Sequence, residues 1–214
     1  LEIRSGAENP VDSDAAYRAG TISQSEWRAK RYAVVNDNTD PNVLNPAGFH
    51  FTALDRSITN VVLPLKQRLE ARGEQLYVNL NYVAFDPGTT SPHLNPAEYA
   101  ELIFAVFQHM QASFGFVPNA VEVILEPDNN TPWQGTLIGQ AIATTGARLA
   151  LAGFRPDFIA PSTTSMANTV AYLEQAMAVP GASTYLKEVA YHRYSGVSDA
   201  NLAGIGGFAA QRGL

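Results

Sequence analysis

The chain has 214 residues, 46% hydrophobic and only 16% charged, with a formal net charge of -6 and a pI near 5.1. An acidic chain with so few cations is a poor partner for nucleic acid or an anionic membrane surface, and no apolar run approaches the roughly 20 residues that span a bilayer. It has no cysteine, which excludes disulfides, a thiol nucleophile and zinc-thiolate sites; a single domain with a sizeable core is expected.

Leu1 to Arg4 reads as the end of a strand, broken by Gly6. Both this start and the finish at Gln211-Arg212-Gly213-Leu214 read as cut. A long loop follows to about Phe51, carrying Trp27, Tyr32, the cluster Asn36-Asp37-Asn38-Thr39-Asp40 and one short helix around Ser23 to Arg31. So long a connection is usually functional, and Trp27 is either a stacking platform or an anchor for the loop. Leu54 to Gly73 has apolar residues at helical spacing (Ile58, Val61, Val62, Leu65, Leu69), with Pro64 predicting a kink.

The stretch Leu76 to Tyr82 is the next strand, with Asn79 and Asn81 on one face because strand side chains alternate. Asp86-Pro87-Gly88 ends it as a turn. Pro96 to Phe114 is a helix opened by Asn95 as cap, with Tyr99, Leu102, Ile103, Val106, Phe107 and Met110 on its apolar face. His109 on that helix reads as a structural or surface residue. Ala120 to Glu126 is a short Val- and Ile-rich strand stopped by Pro127, as expected of a buried parallel strand. Helices over Gln134 to Gly153 and Met166 to Met177 flank a strand over Asp157 to Ser162. The last strand, Glu188 to Tyr194, puts His192 and Tyr194 on one face, and a final helix runs from Ser198 or Asp199 to Arg212.

Strand and helix thus alternate five times, which means right-handed crossovers and a parallel α/β sheet. The strand ends are polar at Arg4, Asn81, Glu126, Ser162 and His192, as at the mouth of a (β/α)8 barrel. No glycine fingerprint for a dinucleotide or phosphate lies at a strand-to-helix junction. The four histidines lack paired-ligand spacing, so neither a metal nor a cofactor is expected. Glu126, delivered to the carboxyl edge of the sheet, is the candidate acid/base; the alternative is a carboxylate that caps the following helix or meets a surface Arg.

Leu125-Glu126-Pro127 and, two strands later, His192-Arg193-Tyr194 resemble the strand-four and strand-six motifs of clan A glycoside hydrolases, retaining (β/α)8-barrel enzymes. The resemblance implies a TIM barrel of which residues 1–214, a single incomplete domain, supply roughly five consecutive βα units, the second to the sixth. It implies hydrolysis of β-linked glycosides or polysaccharide with Glu126 as general acid/base. Arg4, Asn79, Asn81, Tyr82, Asn129, Trp133, His192 and Tyr194 would bind substrate. Polysaccharide degradation would favour an extracellular or periplasmic location.

Two departures from the family pattern stand out. Leu125 replaces the Asn that contacts the sugar 2-hydroxyl, which favours the alternative of a non-catalytic carbohydrate-binding or pseudoenzyme barrel. The nucleophile should be a Glu ending the seventh strand, and no Glu lies between His192 and Leu214. It is expected beyond residue 214, with a second polypeptide or further segments completing the barrel and the chain alone inactive.

Overall fold

A computed structural model describes residues 1–85, 90–129 and 132–214. The expected turn at Asp86-Pro87-Gly88 lies outside the described residues. Strands β1 (Glu2–Arg4), β2 (Asn79–Val83), β3 (Ala120–Glu122), β4 (Asp157–Ser165) and β5 (Leu186–Ser195) form one sheet. Every pairing is parallel, and the order across the sheet is the order along the chain. Each crossover therefore returns to the neighbouring strand, without the reversal of order that defines a doubly wound sheet.

Helices α1 (Ser13–Arg18), α2 (Gln24–Lys30), α3 (Thr52–Ser57) and α4 (Leu63–Glu70) lie between β1 and β2. Helix α5 (Pro96–Phe114) joins β2 to β3, and α6 (Gly135–Leu151) joins β3 to β4. Helices α7 (Met166–Met177) and α8 (Ala182–Tyr185) precede β5, and α9 (Asp199–Arg212) follows it. The limits of α5 are those its residues prescribe. Asn95 accepts a hydrogen bond from the Ala97 amide at 3.0 Å, Pro96 occupies the first turn, and Gly115 ends the helix at φ 73°. Pro64 does not simply kink its helix. Five residues of π-helix, Ile58–Val62, separate α3 from α4, and the wider turn accommodates a proline that has no amide to donate. Helix α1, capped by the Asp12 carboxylate on the Ala15 amide, was not legible as a helix in the loop's sequence.

The pleat sorts the sheet into two faces. Leu80, Tyr82, Val121, Val123, Phe158, Ala160 and Leu186 belong to the buried core with Leu102, Ile103, Val106, Phe107, Ile138 and Leu173 of the helices. Helix α5 packs on α6, α6 on α7 and α7 on α9, forming one layer. Between α6 and α7 the backbones nearly touch: a Cβ at Gly135 or Gly139 would meet the Tyr172 or Ala176 carbonyl oxygen at 2.3 Å.

The opposite face carries Glu2, Asn81, Glu122 and Glu188 in one transverse row set by the strand registers. There the Tyr77 hydroxyl, just ahead of β2, hydrogen-bonds Glu188 of β5. Two strands lie between them, a separation of about 14 Å across a flat sheet. Side chains that meet over that span require the sheet to curl away from the helix layer.

Candidate active site

Strand β3 ends in register with β4 at Glu122, but its pairing continues to Glu126. The Val123 amide donates to Ile159 O at 3.2 Å, the Leu125 amide to Tyr82 O at 3.0 Å and the Glu126 amide to Ser162 O at 3.1 Å. The strand expected through Glu126 is thus shorter as a regular ladder, and its last residues follow a turned path. Glu126 sits at φ 53° and Ser162 at φ 55°, both in the left-handed region that side chains larger than Gly rarely occupy. Each such residue costs on the order of 1–3 kcal/mol and persists only where its surroundings fix it, often at functional sites.

The turned backbone aims the Glu126 carboxylate at the end of β5. Its Oε1 lies 2.8 Å from His192 Nδ1, and its Oε2 accepts a hydrogen bond from Asn129 Nδ2 at 3.2 Å. Asn129 is in turn oriented by Thr164 Oγ1, 2.8 Å away. The glutamate and imidazole side chains keep 18% and 27% of their surface accessible, so the pair is ordered yet open to a ligand. The His192 ring packs edge-on against Tyr194, centroids 5.2 Å apart, and Tyr194 is largely exposed.

The helix-capping task falls to Asp128. Its carboxylate accepts hydrogen bonds from the Thr164 amide at 2.6 Å, the Ser165 amide at 3.0 Å and Asn168 Nδ2 at 2.9 Å, where α7 begins. Partial burial pushes this carboxyl up, but the hydrogen bonds from Asn168, Thr164 and Ser165 outweigh it and hold it below the ordinary Asp range.

Glu122, four residues before Glu126, was not singled out in the sequence. Its Oε2 accepts from Asn79 Nδ2 at 2.7 Å, and Ser162 Oγ hydrogen-bonds its Oε1. The alternation that places Asn79 and Asn81 on one face would have found it, since Asn81 pairs in register with Glu122. The Oδ1 atoms of Asn79 and Asn81 are buried on this face and meet no hydrogen-bond donor among the described residues.

Three expected ligand contacts need correction. Trp133 offers no ring face to a sugar: it is 0% exposed, packed against Tyr82 at 5.9 Å and Tyr99 at 5.6 Å between sheet and helices. Tyr82 is equally buried, because its position on β2 turns it into the helix layer; its hydroxyl meets His93 Nδ1 at 2.7 Å. Arg4 does not join the Glu126 group in any contact. Its guanidinium pairs with Glu2 at 2.6 Å and lies over the Trp27 ring at 5.4 Å. Trp27, stacked on Tyr17 and covered by Arg31, anchors the long loop.

Comparison with family models, with curated proteins and with solved structures returns no match.

Proposed function

We propose that this chain forms part of a (β/α)8-barrel retaining glycoside hydrolase acting on β-linked sugars, with Glu126 as general acid/base. The observation that carries the reading is the Glu126–His192 contact at 2.8 Å, which joins the ends of two parallel strands around an accessible carboxyl group. A sheet whose strands follow chain order, with its helices in one layer and its other face concave, supports closure into a barrel by further strands. The carboxyl edge of such a barrel is where its chemistry gathers.

In this reading Glu126 protonates the glycosidic oxygen as the bond to the anomeric carbon breaks, while a second carboxylate attacks that carbon. Glu126, now ionised, then takes a proton from water, whose oxygen displaces the second carboxylate and regenerates it. His192 and Asn129 hold the two Glu126 oxygens so that one faces the leaving group. The attacking carboxylate must stand about 5–5.5 Å from Glu126. Following the resemblance, in which the nucleophile ends the seventh strand, we assign the attack to a Glu on the strands that close the sheet beyond β5; Glu122 hydrogen-bonds Asn79 and Ser162. The amide oxygens of Asn79 and Asn81, without a donor among the described residues, would accept hydrogen bonds from the closing segments or the substrate.

The test is turnover of aryl β-glycosides by the chain together with its completing strands, alongside Glu126→Gln. Loss of the acid should lower kcat by about 10²–10⁴-fold on substrates with poor leaving groups, and by much less on dinitrophenyl glycosides, which need no protonation. Equal activity of the two proteins on both substrate types would sink the assignment. Hydrolysis by the 214-residue chain as a cooperative monomer would sink the shared barrel.

The second reading is a carbohydrate-binding barrel without hydrolysis, favoured by Leu125 in place of Asn. Glu126→Gln then leaves sugar affinity nearly intact in a complete barrel that shows no turnover.

A further inference from the structure

Away from the Glu126 mouth, four carboxylates meet where the long loop after β1 packs on α5. Glu8, Asp37, Glu98 and Glu101 each bring one oxygen within 4.8 Å of the others. Glu8 and Glu101 are 0% exposed and Glu98 5%. Glu8 has one partner on each oxygen, which leaves each a second lone pair: His93 Nε2 lies 2.6 Å from Oε2, and the Asp37 amide donates to Oε1 at 3.2 Å. Asp37 Oδ2 accepts from Asn38 Nδ2 at 2.9 Å and the Asn45 amide at 2.7 Å.

The remaining oxygens are in a different position. Asp37 Oδ1, Glu98 Oε2 and both oxygens of Glu101 are buried and meet no hydrogen-bond donor among the described residues. Arg148 Nη2 stands 3.8 Å from Glu101 Oε1, beyond hydrogen-bond reach, while its Nη1 is turned to the Pro41 carbonyl. A buried carboxylate without donors is costly enough that such groups are found paired, protonated or bound to metal. Two arrangements relieve this: a proton shared between Glu98 and Glu101, or a cation among all four groups.

We propose that Glu8, Asp37, Glu98 and Glu101 bind a divalent cation of the calcium type. The donor set is all oxygen and strongly anionic, which suits a hard cation and lacks the nitrogen or thiolate that would select zinc. Calcium takes ligands from an irregular protein cage, whereas magnesium retains its waters and a strict octahedron. The ion ties the loop residues Glu8 and Asp37 to the first turns of α5 at Glu98 and Glu101. It fixes the course of the loop independently of any chemistry at Glu126.

The experiment is a calcium titration of the EDTA-dialysed chain, followed by calorimetry and by thermal melting. One Ca²⁺ should bind per chain, and a hundredfold excess over Kd should raise the melting temperature by about 5 °C or more, with Mg²⁺ raising it much less. Glu101→Gln should weaken Ca²⁺ binding at least tenfold; Asp37→Asn, on the more accessible side of the cluster, should do the same if the first variant does not fold. Absence of Ca²⁺ uptake at millimolar concentration overturns the proposal in favour of the shared proton. An undiminished calcium response in both variants overturns it as well.

Discussion

Glu126 and Glu101 are both partly or wholly withdrawn from water, but their surroundings differ in kind. At the strand ends, Glu126 has a partner on each oxygen and retains access to solvent. Under the long loop, Glu101 has no donor on either oxygen and no exposed surface. The first arrangement holds a carboxyl group still while leaving room for a ligand. The second leaves buried carboxyl oxygens short of donors, with only the Arg148 guanidinium 3.8 Å away. A carboxylate's burial alone therefore does not mark a catalytic group; its donors and its access to solvent have to be read together.

The contrast can be broken first at the sealed side. His93 bridges Tyr82 and Glu8 in the 0% exposed interior, and His93→Ala should destabilise the chain by about 3–5 kcal/mol. Urea denaturation measures it; a loss under about 1 kcal/mol would mean that water reaches the cluster. Trp133→Ala should cost a similar ~3–5 kcal/mol because the ring is core. If Trp133→Phe instead preserved stability and lowered affinity for oligosaccharide, the indole would belong to the site.

Asp128, half-buried, has more donors than either, with three. Asp128→Asn should cost about 1–3 kcal/mol at neutral pH. Its carboxyl is depressed in the folded chain, so its stabilisation is present above the unfolded value of about 3.9 and is lost as pH falls through the folded value. Melting curves between pH 2 and 7 should show that acid loss diminished in the variant; an unchanged acid limb would assign it to other carboxyls. The smallest effect is expected at the strand ends, where Glu126→Gln keeps shape and partners and should shift stability by less than about 1 kcal/mol. A larger loss would make Glu126 a structural residue.

Much of this was legible in sequence because its causes are local. Asn95-Pro96 and Gly115 bracket α5, Ser198 caps α9 through the Asn201 amide, and alternating strands and helices announce the parallel sheet. The placing of Glu126 and His192 at one sheet edge was legible for a related reason, since parallel strands deliver their last side chains there, but their direct contact was not. Trp133 was misplaced because its neighbours Tyr82 and Tyr99 come from β2 and α5, and a loop position says nothing of that aromatic cluster. The acidic cluster was hidden more thoroughly. Glu98 and Glu101 lie outside the apolar face named for that helix, and the folded loop brings Glu8 and Asp37 up to them.

The left-handed backbone at Glu126 also bears on what mutation would do to this position over many generations. Glycine, and to a lesser degree asparagine, fits φ 53° better than glutamate, whereas valine, isoleucine and threonine fit worse. Left to stability alone, residue 126 would drift toward glycine, gaining on the order of 1 kcal/mol. A glutamate here works against the preference of its own main chain, and a replacement that relaxes the turn gives a sturdier protein with no carboxylate at this sheet edge.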